Sequence, residues 1–383
     1  MSDSENDDHY LRRNLPPEII ADVLSRLPVK PLCRFKCVSP SWNSLISSPN
    51  FAQTHFNRTH TGNPDRHLLR NIILQSTNGQ DLYIVDLTAN VPFAAKLDLP
   101  SLQPPEDKRV DVLGSCDGLL LFFHTGRSNF FLVNPSTREC KKLPSLPFVL
   151  NPGHGFYSCL YGVGYDSSTD DYKVVILSYY DESESYPLSD TMIVTVYSLK
   201  TNAWRRIQDN QYIIHEGITF GLYFNGCLHG FFWRDGSYLV LAFDLADEIF
   251  REVPLPASWV NNETRTYELA VVWGCLCLVS IQRGSRQIEV WTMKDYGVRA
   301  SWTKTMIEIM TEIDGMCLLV LLGLLAENEF LITKVKILPG VAEEKLVVYN
   351  HQTGTLRDIV VPAILTKFSF LGNYVESLLP CLC

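Results

Sequence analysis

The side chains of this chain that could do chemistry are scattered rather than gathered. Cys275 and Cys277 stand two apart in an apolar run, a spacing that turns both thiols to one face of a strand, but no second cysteine or histidine pair follows at zinc spacing. They are expected to be thiols of a buried strand. The nine histidines, at positions 9, 55, 60, 67, 124, 154, 215, 229 and 351, contain no helical His-x-x-x-His pair, and no Gly-x-Ser-x-Gly elbow stands near any of them. The common zinc and serine-hydrolase chemistries are thereby removed, and His229, inside a strand pattern, reads as a structural histidine. Asp166, Asp170 and Asp171 are a loose likeness of a calcium loop, without the glycine and the distal glutamate that such a loop requires. A hairpin turn held by side-chain-to-backbone hydrogen bonds is expected there. No metal, no cofactor and no catalytic residue is assigned, and the chain is expected not to be an enzyme.

What the chain offers in place of a reactive centre is apolar surface near its start. Pro16 and Glu18 mark a helix start, where a carboxylate in the first turn meets the exposed amides. Ile19, Ile20, Val23, Leu24 and Leu27 then recur at helical spacing in one apolar stripe, and Leu32, Phe35 and Val38 do the same in a second short helix. Ser39 followed by Pro40 reads as the N-cap and first-turn proline of a third helix carrying Trp42, Leu45 and Ile46. With Leu15 and Val29 this makes thirteen large apolar side chains, in a unit well below the ~40 residues at which a domain usually buries its own core. Some of them need a partner.

Beyond a polar stretch containing Gly62 and Pro64, helical periodicity fades and a β phrase recurs: an apolar strand, a polar turn, then a strand that often runs into Leu-Pro or Val-Pro. Its copies end at Asp86, Asn134, Ser198, Asp244, Thr292 and Asn350, which fall 48, 64, 46, 48 and 58 residues apart. That clusters near the period of about 40 to 50 residues of four-stranded propeller blades. Further strands are expected at Gly118–Phe122, Asp171–Leu177 and Gly226–Phe231, the last bounded by the turn pair Asn225-Gly226. A six- or seven-bladed ring follows, because radial sheets leave only short edges. His67–Leu74 and Lys367–Leu379 are left over at the two ends and are expected to meet in one blade.

The totals limit what such a chain could partner. Its 383 residues leave room for the small helical module and one large domain. Lys plus Arg number 33 against 42 Asp plus Glu, a net charge of −9 with no basic tract, so nucleic acid is not an expected partner. Met1–Asp8 is short, polar and acidic, and no secretory signal is expected. The longest apolar stretch, Met316–Ala326, is interrupted by Gly323 and falls short of the ~20 residues a bilayer needs. It reads as a buried strand, with no membrane partner. Eleven cysteines, an odd number in apolar contexts, are expected to be reduced thiols of a cytoplasmic or nuclear protein. Asn57-Arg58-Thr59 and Asn262-Glu263-Thr264 match the glycosylation triplet but read as plain loops.

The stretch from Leu15 to Ile46 resembles an F-box, the helical module that attaches a protein to the Skp-type adaptor of a cullin-RING ubiquitin ligase. Asn134-Pro135-Ser136-Thr137-Arg138, Tyr161-Gly162-Val163-Gly164-Tyr165-Asp166, Trp291-Thr292-Met293 through Tyr296-Gly297-Val298 to Ser301-Trp302-Thr303-Lys304, and Tyr374-Val375-Glu376-Ser377-Leu378 look like the F-box-associated, kelch-like propeller of plant F-box proteins. The resemblance covers nearly the whole chain after Leu15. It departs at Pro40, where family members often carry a lysine that could make a charge contact to the adaptor. It implies an acidic tail over 1–9, an F-box over 10–56, a linker over 57–67, a propeller over 68–380 and a tail over 381–383. The implied fold class is a small three-helix F-box followed by an all-β propeller of six or seven blades.

The same resemblance implies a substrate receptor of an SCF-type ligase, S-locus F-box-like or defence-regulator-like, that holds a target protein for ubiquitination and proteasomal degradation. Its implied adaptor contacts are Leu15, Pro16, Ile19, Leu27, Pro28, Leu32, Phe35, Val38 and Trp42, and cullin and RING subunits follow through the adaptor. Competing readings are an adaptor-bound regulator acting without degradation and a propeller enzyme like the kelch-type copper oxidases, whose converging His, Tyr or Cys ligands the sequence does not gather. The ending Cys381-Leu382-Cys383 is similar to the doubly prenylated end of some small GTPases, whose recognised body is absent here, so unmodified tail cysteines are expected.

In an up-and-down blade the turns after strands one and three share one face, and the remaining links share the other. The long links Ser101–Arg109, Ser145–Ser158 and Leu255–Thr266 fall on the second face, with Asp181–Asp190 and its acidic Asp181, Glu182, Glu184 and Asp190. Long loops on a rigid scaffold are where binding usually lives. The target is expected on that face, with the F-box arriving on the short-turn face if the strand from His67 is second in its blade.

Overall fold

The computed structural model describes residues 15–60 and 68–381, apart from 77–80, 89–90, 100–109, 125–128, 147–158, 180–191, 208–215, 235, 260–264, 283–286, 309–316, 339–340 and 362–367. Four helices come first: α1 Pro17–Leu24, α2 Val29–Phe35, α3 Pro40–Ile46 and α4 Pro49–His60. The expected start of α1 holds to within a residue, with Pro16 as its cap and Glu18 in its first turn. Ser39 caps α3 as its sequence foretells, its hydroxyl accepting from the Trp42 amide at 3.2 Å.

The fourth helix is not foreseen in the sequence, and it carries the module through 57–60, into the stretch assigned to a linker. Ser48 caps it, accepting from the Phe51 amide at 3.2 Å. Its buried face is narrow, consisting of Phe51, Ala52 and His55, and a buried histidine in a polar stretch gives no apolar signal. His55 donates from Nε2 to the Leu27 carbonyl at 2.8 Å, which ties α4 to the turn after α1, while its Nδ1 has no hydrogen-bond partner among the described residues.

Among the described residues, twenty-four strands then form six four-stranded antiparallel sheets. Blade 1 is ordered β24 (Phe368–Tyr374), β1 (Asn71–Ser76), β2 (Leu82–Asp86), β3 (Phe93–Lys96). Blade 2 runs β4 Val110–Cys116, β5 Leu119–His124, β6 Asn129–Asn134, β7 Glu139–Lys142, and blade 3 runs β8 Cys159–Asp166, β9 Asp171–Tyr179, β10 Met192–Ser198, β11 Ala203–Ile207. Blade 4 runs β12 Glu216–Phe224, β13 Cys227–Arg234, β14 Ser237–Asp244, β15 Phe250–Val253, and blade 5 runs β16 Arg265–Val272, β17 Cys275–Gln282, β18 Gln287–Met293, β19 Trp302–Glu308. Blade 6 runs β20 Cys317–Ala326, β21 Glu329–Leu338, β22 Val341–Asn350, β23 Thr355–Asp358. The two chain ends meet as expected: β24 pairs with β1 from Tyr374 opposite Asn71 to Phe368 opposite Ser76.

Each phrase of the repeat is a third strand, and its polar last residue has a mechanical reason. Asp86, Asn134, Asp244 and Asn350 each turn a side-chain oxygen back to accept from the amide two residues on, at 2.9 to 3.1 Å, which closes the turn into the fourth strand. The Leu-Pro and Val-Pro endings also have a use in the fold. Trp204 and Trp302 donate their indole N–H at 2.7 Å to the carbonyls of Pro144 and Pro254 in the preceding blade. Helical and two-fold patterns are both faint because middle strands are covered on both faces. In β1, Ile72 and Leu74 pack in the cluster shared with blade 6, while Ile73 packs in the one shared with blade 2.

Candidate functional site

The helical module buries only part of its apolar inventory. Leu24, Val29, Leu32 and Ile46 are buried, and Ile20, Leu27, Phe35, Trp42 and Leu45 pack half-buried against them. Phe35 and Trp42 meet edge to face with ring centres 5.6 Å apart, so the Ser39 cap and this contact together fix the indole. What is left outside is one set: Leu15 at 58% exposure, Ile19 at 48%, Val23 at 52% and Val38 at 60%. Covering the half of each side chain still exposed is worth roughly 1 kcal/mol, so together the set has a strong preference to be covered.

Of the nine residues assigned to a partner face, Leu15, Pro16, Ile19, Pro28 and Val38 lie exposed, and Leu27, Phe35 and Trp42 are half-buried. Leu32 must be corrected, since it is 0% exposed. It supports the face from behind, because the turn of α2 that points it inward also places Val29 inward. Val23 is absent from the expected contacts, although its place four residues after Ile19 puts it on the same stripe of α1. Charges rim the face: Asp22 bridges Arg26 and Arg58 at 3.1 and 2.8 Å, and the hydrogen bonds from Arg58 and Arg26 hold its carboxyl below the usual range.

The module stands on the short-turn face of blades 1 and 2, as expected from β1 being second in its blade. Lys30 of α2 pairs with Glu376 at 2.8 Å and reaches Asp86 at 4.0 Å, and the Cys33 thiol donates to the Ser136 carbonyl at 3.5 Å. Asp86 and Ser136 both belong to turns after third strands. Asp181, Glu182, Glu184 and Asp190 lie outside the described residues, as do 101–109, 147–158 and 260–264 of the long links.

The remaining chemical candidates are structural. His229 is fully buried, donating from Nδ1 to the Leu222 carbonyl at 3.3 Å and accepting from the Tyr296 hydroxyl at 2.7 Å, a staple between blades 4 and 5. Burial pushes it down to about 4. Cys277 is buried in β17 with its thiol 3.4 Å from the Thr292 hydroxyl, and Cys275 is half-buried. Asp166 closes its turn by accepting from the Ser168 amide at 2.9 Å and also receives Lys173 at 2.7 Å, while Lys173 pairs with Glu248 at 2.9 Å. Burial alone would raise the Asp166 carboxyl, but Lys173, Ser168 and Thr169 outweigh it and hold it far below the carboxylate range. Among the described residues no three His, Cys, Asp or Glu converge as a metal-binding group, and no helix is long and apolar enough to cross a membrane.

Residues 13–54 match the family model of the F-box domain, and residues 73–381 match that of the F-box associated beta propeller domain. The F-box protein CPR1 of Arabidopsis thaliana is 33% identical over 312 residues, which span 76% of this chain and 72% of that protein. An F-box/kelch-repeat protein of the same plant is 30% identical over 311 residues, 76% of this chain and 78% of that protein. Among solved structures, TolB from Acinetobacter baumannii overlaps 86% of this chain and 71% of that chain with a TM-score of 0.44 and 11% identity, a likeness too distant to bear on function.

Proposed function

The chain belongs to the F-box proteins that carry an F-box-associated propeller, and from that footing we propose that it is the substrate-recognition subunit of an SCF-type ubiquitin ligase. The exposed set Leu15, Ile19, Val23 and Val38 is the observation that carries the reading. A partner covers it, and a Skp-type adaptor, bridging to cullin and RING subunits, is the partner this family affiliation favours. The half-buried Trp42, packed edge to face on Phe35, is the kind of side chain that dominates interface energetics.

The propeller then holds a target protein on its long-loop face, with Asp181, Glu182, Glu184 and Asp190 favouring a basic target surface. The chain makes and breaks no bonds in this role. It raises the local concentration of a target lysine near the ubiquitin-charged enzyme, which is rate enhancement by proximity. Ubiquitination leads the target to the proteasome, and the work is done in the cytoplasm or nucleus.

Affinity purification with and without proteasome inhibition tests this reading. A target enriched only under inhibition is the expected result, and changing Leu15 and Pro16 both to Ala should lose the adaptor while the propeller keeps the target. Copurification of the adaptor at unchanged levels by that variant contradicts it.

A further inference from the structure

After β24 closes the ring at Tyr374, the chain does not leave the molecule. Residues 375–381 run across the short-turn face of blade 2 and beneath the helical module. Leu378, Leu379 and Cys381 are buried, in one continuous apolar cluster with Leu24, Val29, Leu32, Ile46, Phe51 and Ala52 of the helices and Leu119, Leu132 and Leu143 of blade 2.

Polar contacts fix this segment along its length. The fully buried Asn134 donates its side-chain amide to the carbonyls of Ser377 at 3.1 Å and Leu379 at 2.8 Å, while its oxygen holds the turn amides of Ser136 and Thr137. The Cys381 amide donates to the Glu139 carboxylate at 3.0 Å, and Ser136 shares a 2.6 Å hydrogen bond with the Tyr374 hydroxyl. On its other side the segment meets the helices through Lys30 and Glu376 at 2.8 Å, an ion pair too exposed on the lysine side to hold the joint alone. The helices and the ring thus share a core through these seven residues.

We propose that residues 375–381 are a strap that locks the helical module to the propeller, so that the two move as one rigid body with a fixed direction between the exposed helical face and the long-loop face. A ligase that works by proximity gains from such a mount, but the lock is a property of the chain alone and holds whatever its partners are. Sequence alone assigns these residues to the end of a blade and a free tail. The fold makes them the mortar of the joint.

Distance distributions between spin labels test the proposal, with labels introduced by non-cysteine chemistry at the exposed Asn57 on α4 and the exposed Ser258 beyond β15. In the intact chain a single narrow distribution is expected. A chain ending at Val375, which keeps β24 and the ring, should give a broad one, and a synthetic peptide of residues 376–383 added in trans should narrow it again. Asn134→Asp provides a full-length second variant should the shortened ring fail to melt cooperatively. It keeps the oxygen that accepts from Ser136 and Thr137 but sets a carboxylate against the two strap carbonyls, and it should broaden the distribution as well. A distribution as narrow as that of the intact chain in the folded variants overturns the proposal.

Discussion

Asn134 donates to the carbonyl of Leu379 at 2.8 Å across 245 residues of chain. One amide thus joins the third-strand turn of blade 2 to the segment that follows ring closure. Removing it orphans the buried carbonyls of Ser377 and Leu379, while the half-buried turn amides of Ser136 and Thr137 can turn to water, and each buried unsatisfied group costs about 1–3 kcal/mol. Asn134→Ala should therefore lower the urea unfolding free energy by roughly 3 kcal/mol, whereas the half-buried Asn350, with the same turn role, should lose about 1 kcal/mol on the same change. Equal losses at the two sites would contradict the strap contacts.

Gly118 separates turn strain from strap contact. Its φ of +87° belongs to the turn after β4, and a Cβ there would lie 2.4 Å from the Ser377 hydroxyl and 2.6 Å from the Val375 carbonyl. Gly274 has a φ of +68° in the matching turn of blade 5, with nothing within 4 Å. Gly274→Ala should cost the left-handed penalty of about 1–2 kcal/mol, and Gly118→Ala clearly more, as read from thermal or urea midpoints.

Ring closure makes the C-terminal strand indispensable. Deletion from Lys367 onward leaves β1 with a long unpaired edge and should give aggregation or loss of a cooperative melt. Deletion of only Pro380–Cys383 looks harmless from sequence, but Cys381 is 0% exposed and its amide meets the Glu139 carboxylate. That deletion should leave a folded ring destabilised by about 2–3 kcal/mol, for the lost charged hydrogen bond and buried thiol together.

The repeat was legible because the fold uses its letters mechanically: an Asx residue to turn, a Pro carbonyl to receive the next tryptophan. The blades' partners in space were legible for the same reason, including the meeting of the two ends. The strap was not, because Leu378, Leu379 and Cys381 look like any apolar tail until Asn134 is seen beneath them. Leu32 reads as a partner-face residue because a stripe on a seven-residue helix cannot say which of its edges the other helices cover. α4 is hidden in the sequence because one of its few buried positions is a histidine whose partner is the Leu27 carbonyl.

The buried His229 and the half-buried Glu268 should tilt stability against pH in opposite senses. His229 is held down to about 4 by burial, below its unfolded value near 6.5, so its contribution is present above pH 6.5 and is lost as pH falls toward 4. The full effect is on the order of 3 kcal/mol. His55, also lowered by burial, adds in the same sense. Glu268, on the first strand of blade 5, is raised by burial to about 7, so its contribution is present below pH 4.5 and is lost as pH rises toward 7. Urea midpoints between pH 4.5 and 6.5 should fall on acidification in the parent chain, because two histidines oppose one glutamate. They should fall more steeply in Glu268→Gln and less steeply in His229→Gln. Parallel profiles in the two variants would contradict the burial account of both groups.

Whether the exposed helical face binds a Skp-type adaptor is the central question, and calorimetric titration of the purified full chain with that adaptor reads it directly. Ile19 and Val38 are exposed, so Ile19→Asp with Val38→Asp should leave thermal melting unchanged. Saturable one-to-one binding by the parent chain, weakened at least about 30-fold in the double variant, is predicted, which corresponds to a loss of about 2 kcal/mol at a central apolar anchor. An adaptor that does not bind the parent chain, or that binds parent and variant alike, contradicts it.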